Sequence, residues 1–424
     1  MKILNPRQLA AWVSLLASIL SMQGALAEPI SGSTQVPPRL VNLVKNTLAD
    51  HPDLQAAKAD FLSAKAVLRA SGQAVYNPEL EIEYEDADVK TQTVGIRQTI
   101  DWGDQQGSRT GMAQAGLQQA VAEYEMNIQS LISNLLTALA QNQTGKELAL
   151  LSNETLQLMQ EFKDIAGRRY QAGDLSQVEL NLARLAYSQA LLSQASTLAN
   201  SIEAREKLRA LLGGLPSNLP DLPEALPEPK LNNELESFLQ QLPVIRSQLA
   251  EVQVAREQVN LRKSEKAWNP TIGVSAGSEG EESLVGISLS IPLNIRNSFS
   301  AEVDVAQQDL IASQHRTQLA YREIRASLIA TTERYRHLLN TWNAWREDSR
   351  SSVEQQLSLI KQLWKSGDIS ASDYLLQLKQ ALETQASGLE LRNQLWQVAF
   401  EWMSQTNTID NWLNIETDSP VKNK

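Results

Sequence analysis

Hydrophobic periodicity divides this chain into long helical stretches interrupted by two short segments with a different period. Apolar residues three and four positions apart predict a helix from about Leu40 to Asp50 and another from Pro52 to about Val75. The same spacing then continues for roughly 60 residues, from about Gln105 to Arg168, which corresponds to a helix about 90 Å long. No ordinary globular domain houses such a helix, so its heptad-like spacing predicts coiled-coil packing against neighbouring helices.

The two interrupting segments alternate between polar and apolar residues. Residues 79–85 read Glu-Leu-Glu-Ile-Glu-Tyr-Glu, and Val94, Ile96 and Ile100 line one face of a following strand. Strict alternation of this kind is typical of half-buried strands, and it predicts a β-hairpin at about residues 79–100. Alternation at Ile272 and Val274, and then from Val285 to Leu293, predicts a second hairpin at about residues 271–293.

The second half of the chain repeats the first. Tyr76-Asn77-Pro78 recurs as Trp268-Asn269-Pro270, and Val94-Gly95-Ile96 recurs as Val285-Gly286-Ile287, each roughly 190 residues later. The fold class that follows is mainly α with a small β part, built from a duplicated unit of helix, β-hairpin, long helix and helix. The predicted halves are residues 28–214 and 231–405, joined by a Pro-rich linker at 215–230 and followed by a polar tail at 406–424.

Each half contains one further repeated string, in which an aromatic residue precedes Gly-Asp, an aliphatic residue, Ser and an acid. The two copies are Tyr170–Leu180 and Trp364–Tyr374. Gly ends a helix by adopting the left-handed conformation, and Ser with an acid three positions later is a capping box for the next helix. The strings therefore predict the tips of two helical hairpins, at about residues 170–180 and 364–374.

Composition and charge narrow the possible functions. The 424 residues contain no cysteine, which excludes disulfides and thiolate metal sites. The net charge of -11 argues against nucleic acid as a partner. Residues 1–27 have the pattern of a cleaved signal peptide, because Lys2 and Arg7 precede a short apolar run that ends in Ala25-Leu26-Ala27. No later stretch contains the roughly 18 consecutive apolar residues that a membrane-spanning helix needs. Together with the signal peptide, this predicts an exported protein without a transmembrane helix.

No constellation of catalytic residues is present. His51, His315 and His337 are isolated from each other and from acids at metal-ligand spacing, and the methionines do not cluster. We therefore expect a protein that is not an enzyme and that has no cofactor and no resident metal.

The two hairpins together suggest a membrane β-barrel. Four strands of about 8–10 residues match the length of tilted membrane strands, but strand edges cannot stay unpaired in lipid. The smallest barrels of this kind have about eight strands, so several copies of the chain would have to share one barrel. Leu80, Ile82 and Tyr84 would face lipid. The predicted lumen-facing acids are Glu79, Glu81, Glu83 and Glu85, and the predicted membrane-girdle aromatics are Tyr76, Trp102 and Trp268. A soluble domain of two sheets with one polar face is the alternative.

The order of elements, repeated twice after a secretory signal, resembles the TolC family of outer-membrane efflux proteins. Asn77-Pro78-Glu79-Leu80 and the Val-Gly-Ile strands resemble its CzcC-like, heavy-metal branch. The resemblance implies a homotrimer with a twelve-stranded barrel in the outer membrane and a long α-helical barrel in the periplasm. It also implies a periplasmic adaptor (membrane fusion) protein and an inner-membrane resistance-nodulation-division pump as partners. The function would be the passive exit duct of a tripartite efflux system for heavy-metal cations. A duct for drugs or secreted polypeptides, and a periplasmic coiled-coil adaptor or scaffold without a pore, are the alternatives.

The resemblance also implies roles for the tips. Asp373 and its counterpart Glu179 would ring the narrow periplasmic end as the pore gate and favour cations, although both acids also fit the simpler role of helix cap. The adaptor-contact residues would be Tyr170, Gly173, Asp174, Ser176, Trp364, Gly367, Asp368 and Ser370.

Overall fold

The computed structural model describes residues 36–230, 235–348 and 350–416. The predicted signal peptide and the last part of the predicted tail lie outside these residues. In the first half, α1 (Pro38–Asp50) and α2 (Pro52–Ser71) precede β1 (Glu79–Asp86) and β2 (Lys90–Thr99), and these are followed by α3 (Gln105–Ala172) and α4 (Gln177–Leu212). The long helix α3 has 68 residues, which at about 1.5 Å per residue is about 100 Å.

The second half has the same order of elements. Two helices, α5 (Leu235–Gln241) and α6 (Pro243–Ser264), lead into β3 (Thr271–Glu279) and β4 (Glu282–Ser290). The described helices that follow are α7 (Ser300–Asp348), α8 (Arg350–Ser366) and α9 (Ala371–Gln405), and α10 (Ile409–Leu413) comes last. The predicted fold class, a mainly helical chain with a duplicated unit and a small β part, is confirmed.

Two elements are shorter than predicted. The second helix was expected to reach Val75 but ends at Ser71, whose hydroxyl donates to the carbonyl of Leu68 and precedes Gly72. The fourth strand was expected to reach Leu293 but ends at Ser290. Pro292 follows closely, and because proline has no N–H to donate to a ladder, the strand stops before it.

The four strands form one antiparallel sheet in the order β1-β2-β3-β4. The sequence suggested two separate hairpins, but β2 and β3 pair over their whole length, from Thr91 opposite Glu279 to Thr99 opposite Thr271. At one end of this ladder the hydroxyls of Thr99 and Thr271 are 2.8 Å apart. The duplicated halves are therefore joined edge to edge in one sheet.

The strand register places like residues in rows across the sheet. Leu80, Ile96, Val274 and Ile287 are successive cross-strand partners, and so are Ile82, Val94, Ala276 and Val285. Nearly all of these apolar side chains are exposed in the single chain.

The opposite face carries mainly polar, charged and small residues. One of its rows is Glu81, Gly95, Ser275 and Gly286. The sheet thus has one apolar and one polar face along all four strands, as the alternation predicted.

The larger hydrophobic core lies where α1 packs on α3 and where α7, α9 and α10 converge. Its largest fully buried side chains include Tyr335, Trp396 and Phe400. Burial without a charge partner raises the pKa of the Tyr335 hydroxyl well above its usual range, and this hydroxyl donates to the carbonyl of Pro227.

The Pro-rich segment at 215–230 is part of this core. Leu222 and Leu226 are buried in it, and the carbonyl of Pro223 accepts a hydrogen bond of 3.1 Å from the indole of Trp396. Proline fixes the backbone and has no N–H to donate, so this segment forms no regular hydrogen-bond ladder. Its backbone carbonyls are therefore available to accept hydrogen bonds from side chains of the neighbouring helices. The segment that was expected to be a linker therefore packs on the helices as part of the core.

The segment after Gln405 was expected to be a polar tail, and for residues 406–416 this is wrong. Ile409, Leu413 and Ile415 are buried in the larger core, and Phe400 packs on Trp412 with ring centroids 5.9 Å apart. Ile409 and Leu413, four positions apart, place α10 on the core, and Ile415 packs there just after the helix ends.

In the described part of the chain, every helix is too short or too polar to cross a membrane.

Candidate functional site

The two hairpin tips have the same backbone geometry. Gly173 and Gly367 both adopt a φ of 86°, in the left-handed region. At the first tip, the N–H groups of Gly173 and Asp174 donate to the carbonyls of Tyr170 and Arg169, over 3.1 and 2.9 Å.

The second tip repeats this pair of bonds. The N–H groups of Gly367 and Asp368 donate to the carbonyls of Trp364 and Leu363, over 3.3 and 3.0 Å. This paired bonding is the Schellman motif, in which a left-handed glycine satisfies the last carbonyls of a helix. A side chain at either glycine would strain the turn.

The acids after the tips cap the following helices. Ser176 and Glu179 form a reciprocal capping box, in which the Ser176 N–H donates to the Glu179 carboxylate over 3.0 Å. Hydrogen bonds from the Ser176 backbone and hydroxyl lower the pKa of Glu179, so this carboxylate is ionised at neutral pH. At the second tip, the hydroxyl of Ser370 accepts from the Asp373 N–H and donates to its carboxylate over 2.8 Å. The predicted helix-capping role is present at both tips.

An aromatic cluster joins the two tips. The ring of Trp364 stacks on Tyr374 with centroids 5.1 Å apart and meets the edge of Phe162 at 5.2 Å. Phe162 belongs to the first hairpin, whereas Trp364 and Tyr374 belong to the second, so the cluster holds the hairpins together. Burial and the nearby Glu161 carboxylate raise the pKa of the Tyr374 hydroxyl to about 12.

The burial of Trp364 corrects one of the predicted site residues. Its side chain is 2% exposed, so its ring packs inside the tip and is not available to a partner protein. In the repeated strings, Trp364 is the counterpart of Tyr170, whose side chain is half exposed. An aromatic residue at the end of a helix can be either buried or exposed, so the sequence did not distinguish the two environments. The other predicted contact residues, Gly173, Asp174, Ser176, Gly367, Asp368 and Ser370, are exposed at the two tips.

Arg169 is a tip residue whose role was not predicted from the sequence. Its guanidinium lies 4.5 Å from the ring centroid of Trp364 and donates to the Trp364 carbonyl over 2.9 Å. The sequence holds one weak signal for it, since an arginine immediately precedes the tip aromatic in the first copy while a leucine does so in the second.

The predicted lumen-facing acids share one face of the sheet. Glu79, Glu81, Glu83 and Glu85 lie opposite Arg97, Gly95, Thr93 and Thr91 on β2. Arg97 forms ion pairs with Glu81 at 3.2 Å and with Glu79 at 3.6 Å. The pairing of Arg97 with these acids was not predicted, because a cross-strand pair depends on the register of the hairpin. Glu279 and Glu282 on β3 and β4 extend the same row as Glu85.

The three predicted girdle aromatics lie at the junction of the sheet and the helices. The side chains of Trp102 and Trp268 are exposed. Tyr76 is half buried, and its hydroxyl accepts a hydrogen bond of 3.1 Å from the side chain of Asn269. The Asn269 side chain also accepts from the Trp102 N–H at 3.0 Å, so the second Asn-Pro motif holds the junction of the first half in place.

No cluster that could bind a metal ion is found among residues 36–230, 235–348 and 350–416. His51 has a structural role there, since its imidazole caps α2 by accepting from the Asp53 N–H over 3.2 Å.

The same fold is found in solved outer-membrane channels. The chain is similar to the outer-membrane channel OprN, with 15% identity, a TM-score of 0.75, and 89% of this chain and 91% of that one covered. For the Campylobacter jejuni CmeC outer membrane channel the identity is 14% and the TM-score 0.73, with 94% and 93% covered. For CusC, described as forming a transmembrane channel, the identity is 15% and the TM-score 0.71, with 90% and 95% covered. The chain therefore has the fold of these solved outer-membrane channels.

Residues 43–214 and 235–399 match the outer membrane efflux protein family. These two ranges correspond to the two halves of the duplication, and the chain belongs to this family. No curated protein matches the chain significantly.

Proposed function

We propose that this chain is one subunit of a homotrimeric exit duct in the outer membrane. The observation that carries the proposal is the two-faced sheet. Its apolar rows, which run from Leu80 on β1 to Ile287 on β4, are exposed in the single chain. Exposed apolar surface of this extent is costly in water, and lipid is the environment that removes the cost.

The edges of the sheet explain why several chains are needed. Within the described residues, β1 and β4 each pair with one neighbour only. Unpaired backbone groups cost several kcal/mol each in lipid, on the order of the penalty for any unsatisfied buried group. Pairing β1 of one copy with β4 of the next removes both edges, and three copies of a four-stranded sheet form a twelve-stranded barrel.

The tips provide the periplasmic end of the duct. Asp373 is exposed beside the second tip, where copies from three subunits, together with Glu179, would ring the opening as its gate. The exposed residues around Gly173 and Gly367 would contact a periplasmic adaptor protein. That adaptor would connect the duct to an inner-membrane resistance-nodulation-division pump, which supplies the energy for transport.

The proposed substrates are heavy-metal cations, as in the CzcC-like branch. The support is the Asn-Pro-Glu-Leu string at residues 77–80 and the charge of the polar sheet face, where Arg97 is outnumbered by acids. Rings of carboxylates favour cations electrostatically. In planar-bilayer recordings, a duct with this lining should be cation-selective. Anion selectivity would contradict the proposed substrate class but leave the duct itself intact.

Disulfide crosslinking tests the trimer directly, because the chain contains no cysteine of its own. One cysteine replaces Glu83 on β1, and a second replaces Leu284 or Ser288 on β4 in turn, all on the polar face. Oxidation in native membranes should yield a covalent species of three chains for one of the pairs.

The control pair is Thr91→Cys with Glu279→Cys, which are cross-strand partners within one chain. This pair should crosslink without changing the number of chains. A monomer in the soluble periplasmic fraction, with no intermolecular product from any β1–β4 pair, would show that the chain is a scaffold without a pore.

A further inference from the structure

The Asn-Pro motif before each hairpin is used differently in the two halves. Asn269 is half buried, and its side chain accepts from the N–H groups of Trp102 and Gly103, over 3.0 and 3.4 Å. Pro270 is buried, and its carbonyl accepts from the Ile100 N–H over 2.9 Å. The segment that leaves the first hairpin is therefore bound by the motif of the second half.

The first copy of the motif has no such partner within the described ranges. Asn77 and Pro78 are exposed, and neither the Asn77 side chain nor the Pro78 carbonyl accepts a hydrogen bond from another described residue. The segment that leaves the second hairpin is unpaired there as well. The N–H groups of Leu293 and Ile295 have no acceptor among the described residues, and their side chains are 63% and 84% exposed. The chain thus carries acceptors at one end of its sheet and donors at the other, and it does not bring them together itself.

The registers of the two hairpins show which residues of the halves correspond in space. Each ladder begins at the residue after the motif, with Glu79 opposite Arg97 in the first hairpin. In the second hairpin Thr271 is opposite Ser290. Ser290 therefore takes the place of Arg97, two positions beyond Ser288, which the repeated Val-Gly-Ile string alone would match to Arg97.

The segments beyond the strands correspond in the same way. Three residues further along, Leu293 takes the place of Ile100. Five residues further along, Ile295 takes the place of Trp102. Trp102 and Ile295 both lie where the chain turns after the strand, and both side chains are exposed. The second half therefore presents the same backbone donors as the first.

We propose that Asn77 and Pro78 of one copy bind the segment Leu293–Ile295 of the next copy in the homotrimer. The Pro78 carbonyl accepts from the Leu293 N–H, and the Asn77 side chain accepts from the Ile295 N–H, as the second motif does within one chain. This contact rests on the homotrimeric duct proposed above, and it adds the register in which the copies join.

The register follows from the ladder between the halves. Thr271 lies opposite Thr99, two residues after Arg97. By the same correspondence, Glu79 lies opposite Pro292 of the neighbouring copy. The apolar pairs that follow are Leu80 with Ile291, Ile82 with Leu289, and Tyr84 with Ile287. All six side chains are exposed in the single chain, so the apolar face continues from one copy to the next without a break.

The tilt of a closed barrel supports the same register. A row of opposite residues begins at Leu80 on β1 and reaches Ile287 on β4. This row continues to Tyr84 of the next copy, four positions beyond Leu80. Three copies therefore give a shear of about twelve residues for twelve strands. An eight-stranded barrel with a shear of eight has the same ratio and a tilt of about 36°, within the range of about 35–45° for outer-membrane barrels. The register implied by the Val-Gly-Ile string alone halves the shear and gives a tilt of only about 20°.

Disulfide crosslinking tests the register. Ser288→Cys on β4 stays fixed, and the β1 cysteine replaces Glu81, Glu83 or Glu85 in turn. Directly opposite residues are within disulfide range, whereas diagonal neighbours are about 7–8 Å apart. Because Glu83 lies opposite Ser288 in the proposed register, its pair should form the three-chain product severalfold faster than the other two pairs during mild oxidation of native membranes.

The other outcomes separate this contact from the duct itself. A product that forms as fast or faster with Glu81→Cys or Glu85→Cys would overturn the register and leave the trimeric duct intact. No three-chain product from any pair would overturn the contact, and a monomer in the soluble periplasmic fraction would refute the duct as well.

Amide hydrogen exchange tests the Asn77 contact, in trimers held together by the disulfide between positions 83 and 288. Asn77→Ala removes the acceptor and should speed exchange at residues 293–297 about fivefold to tenfold, as expected for one net hydrogen bond, without changing residues 100–104. Asn269→Ala is the matched control and should have the reverse effect. Asn77→Asp keeps an acceptor oxygen and should exchange like the parent chain. Unchanged exchange at residues 293–297 in Asn77→Ala would overturn the contact.

Discussion

Arg169 at the end of α3 lies against Trp364 near the end of α8, where it donates to the Trp364 carbonyl and covers the indole ring at 4.5 Å. These residues belong to different halves of the duplication. The contact therefore joins the first tip to the second, and it does so one turn away from both tip glycines.

Replacing Arg169 should loosen the pairing of the tips. Arg169→Gln removes a cation–π contact of about 0.5–2 kcal/mol and a charge-assisted hydrogen bond of about 1.5–3 kcal/mol. We expect faster amide hydrogen exchange at residues 164–180 and 360–376, with no change in the sheet. Arg168→Gln, at the exposed neighbouring position, is the control. Unchanged exchange in both variants would show that the aromatic cluster alone holds the tips together.

The aromatic cluster can be tested by a pair of tryptophan substitutions. Trp364→Ala opens a cavity in the tip core and should destabilise it by about 3–5 kcal/mol, measured as local unfolding by limited proteolysis at the tips. Trp102→Ala removes a side chain that is 74% exposed and should leave proteolysis at the tips unchanged. Equal protease resistance of the two variants would contradict the assignment of Trp364 to the tip core.

The apolar face of the sheet should not tolerate charge. Ile82→Arg or Ile287→Arg introduces a charge on the apolar face, which would lie against lipid in the proposed barrel. Such a charge costs about 2–4 kcal/mol per site near the bilayer centre and occurs once in every copy. We expect loss of the protein from the outer-membrane fraction. Glu81→Ser is on the other face and leaves Arg97 with Glu79 as partner, so this variant should insert normally. Similar insertion of both kinds of variant would mean that the faces are assigned wrongly.

The gate prediction separates the charge of Asp373 from its capping role. Asp373→Asn keeps the backbone N–H that the Ser370 hydroxyl caps, and the amide oxygen can still accept from that hydroxyl. The variant should therefore assemble normally but show lower cation preference in single-channel recordings, because a ring of carboxylates is neutralised. Glu179→Gln makes the same change at the first tip. If neither substitution changes conductance or selectivity, the acids are helix caps only.

The turn itself is tested at its glycine. Gly367→Val forces a β-branched residue into a φ of 86°, a region that such residues rarely adopt. The second tip should distort, so that adaptor binding and efflux-dependent resistance are lost while the barrel still inserts. Gly116→Val is the control for the substitution itself, because Gly116 lies inside α3 and a Cβ added there meets no atom of another element within 4 Å. Normal resistance in the Gly367 variant would exclude the tip turn as an adaptor contact.

The amino-acid sequence by itself determined the features that depend on neighbours along the chain. Helix ends at Gly173 and Gly367, capping by Ser176 and Ser370, and the alternation of strands β1 to β4 are encoded within a few residues. The duplication was readable for the same reason, since Asn77-Pro78 and Asn269-Pro270 repeat as strings. These local signals were sufficient to indicate the family.

Only the tertiary structure decided the features that join distant residues. The β2–β3 ladder, the Arg97 pairs with Glu79 and Glu81, and the contact of Arg169 with Trp364 each need two segments in a particular register. The residues on one face of a strand or helix do not specify which segment will pack against it. A one-residue shift in strand register would also exchange the two faces of the sheet. The burial of Leu222 in the Pro-rich segment and of the apolar residues of α10 was not predictable for the same reason. These residues are buried only because helices distant in the sequence cover them.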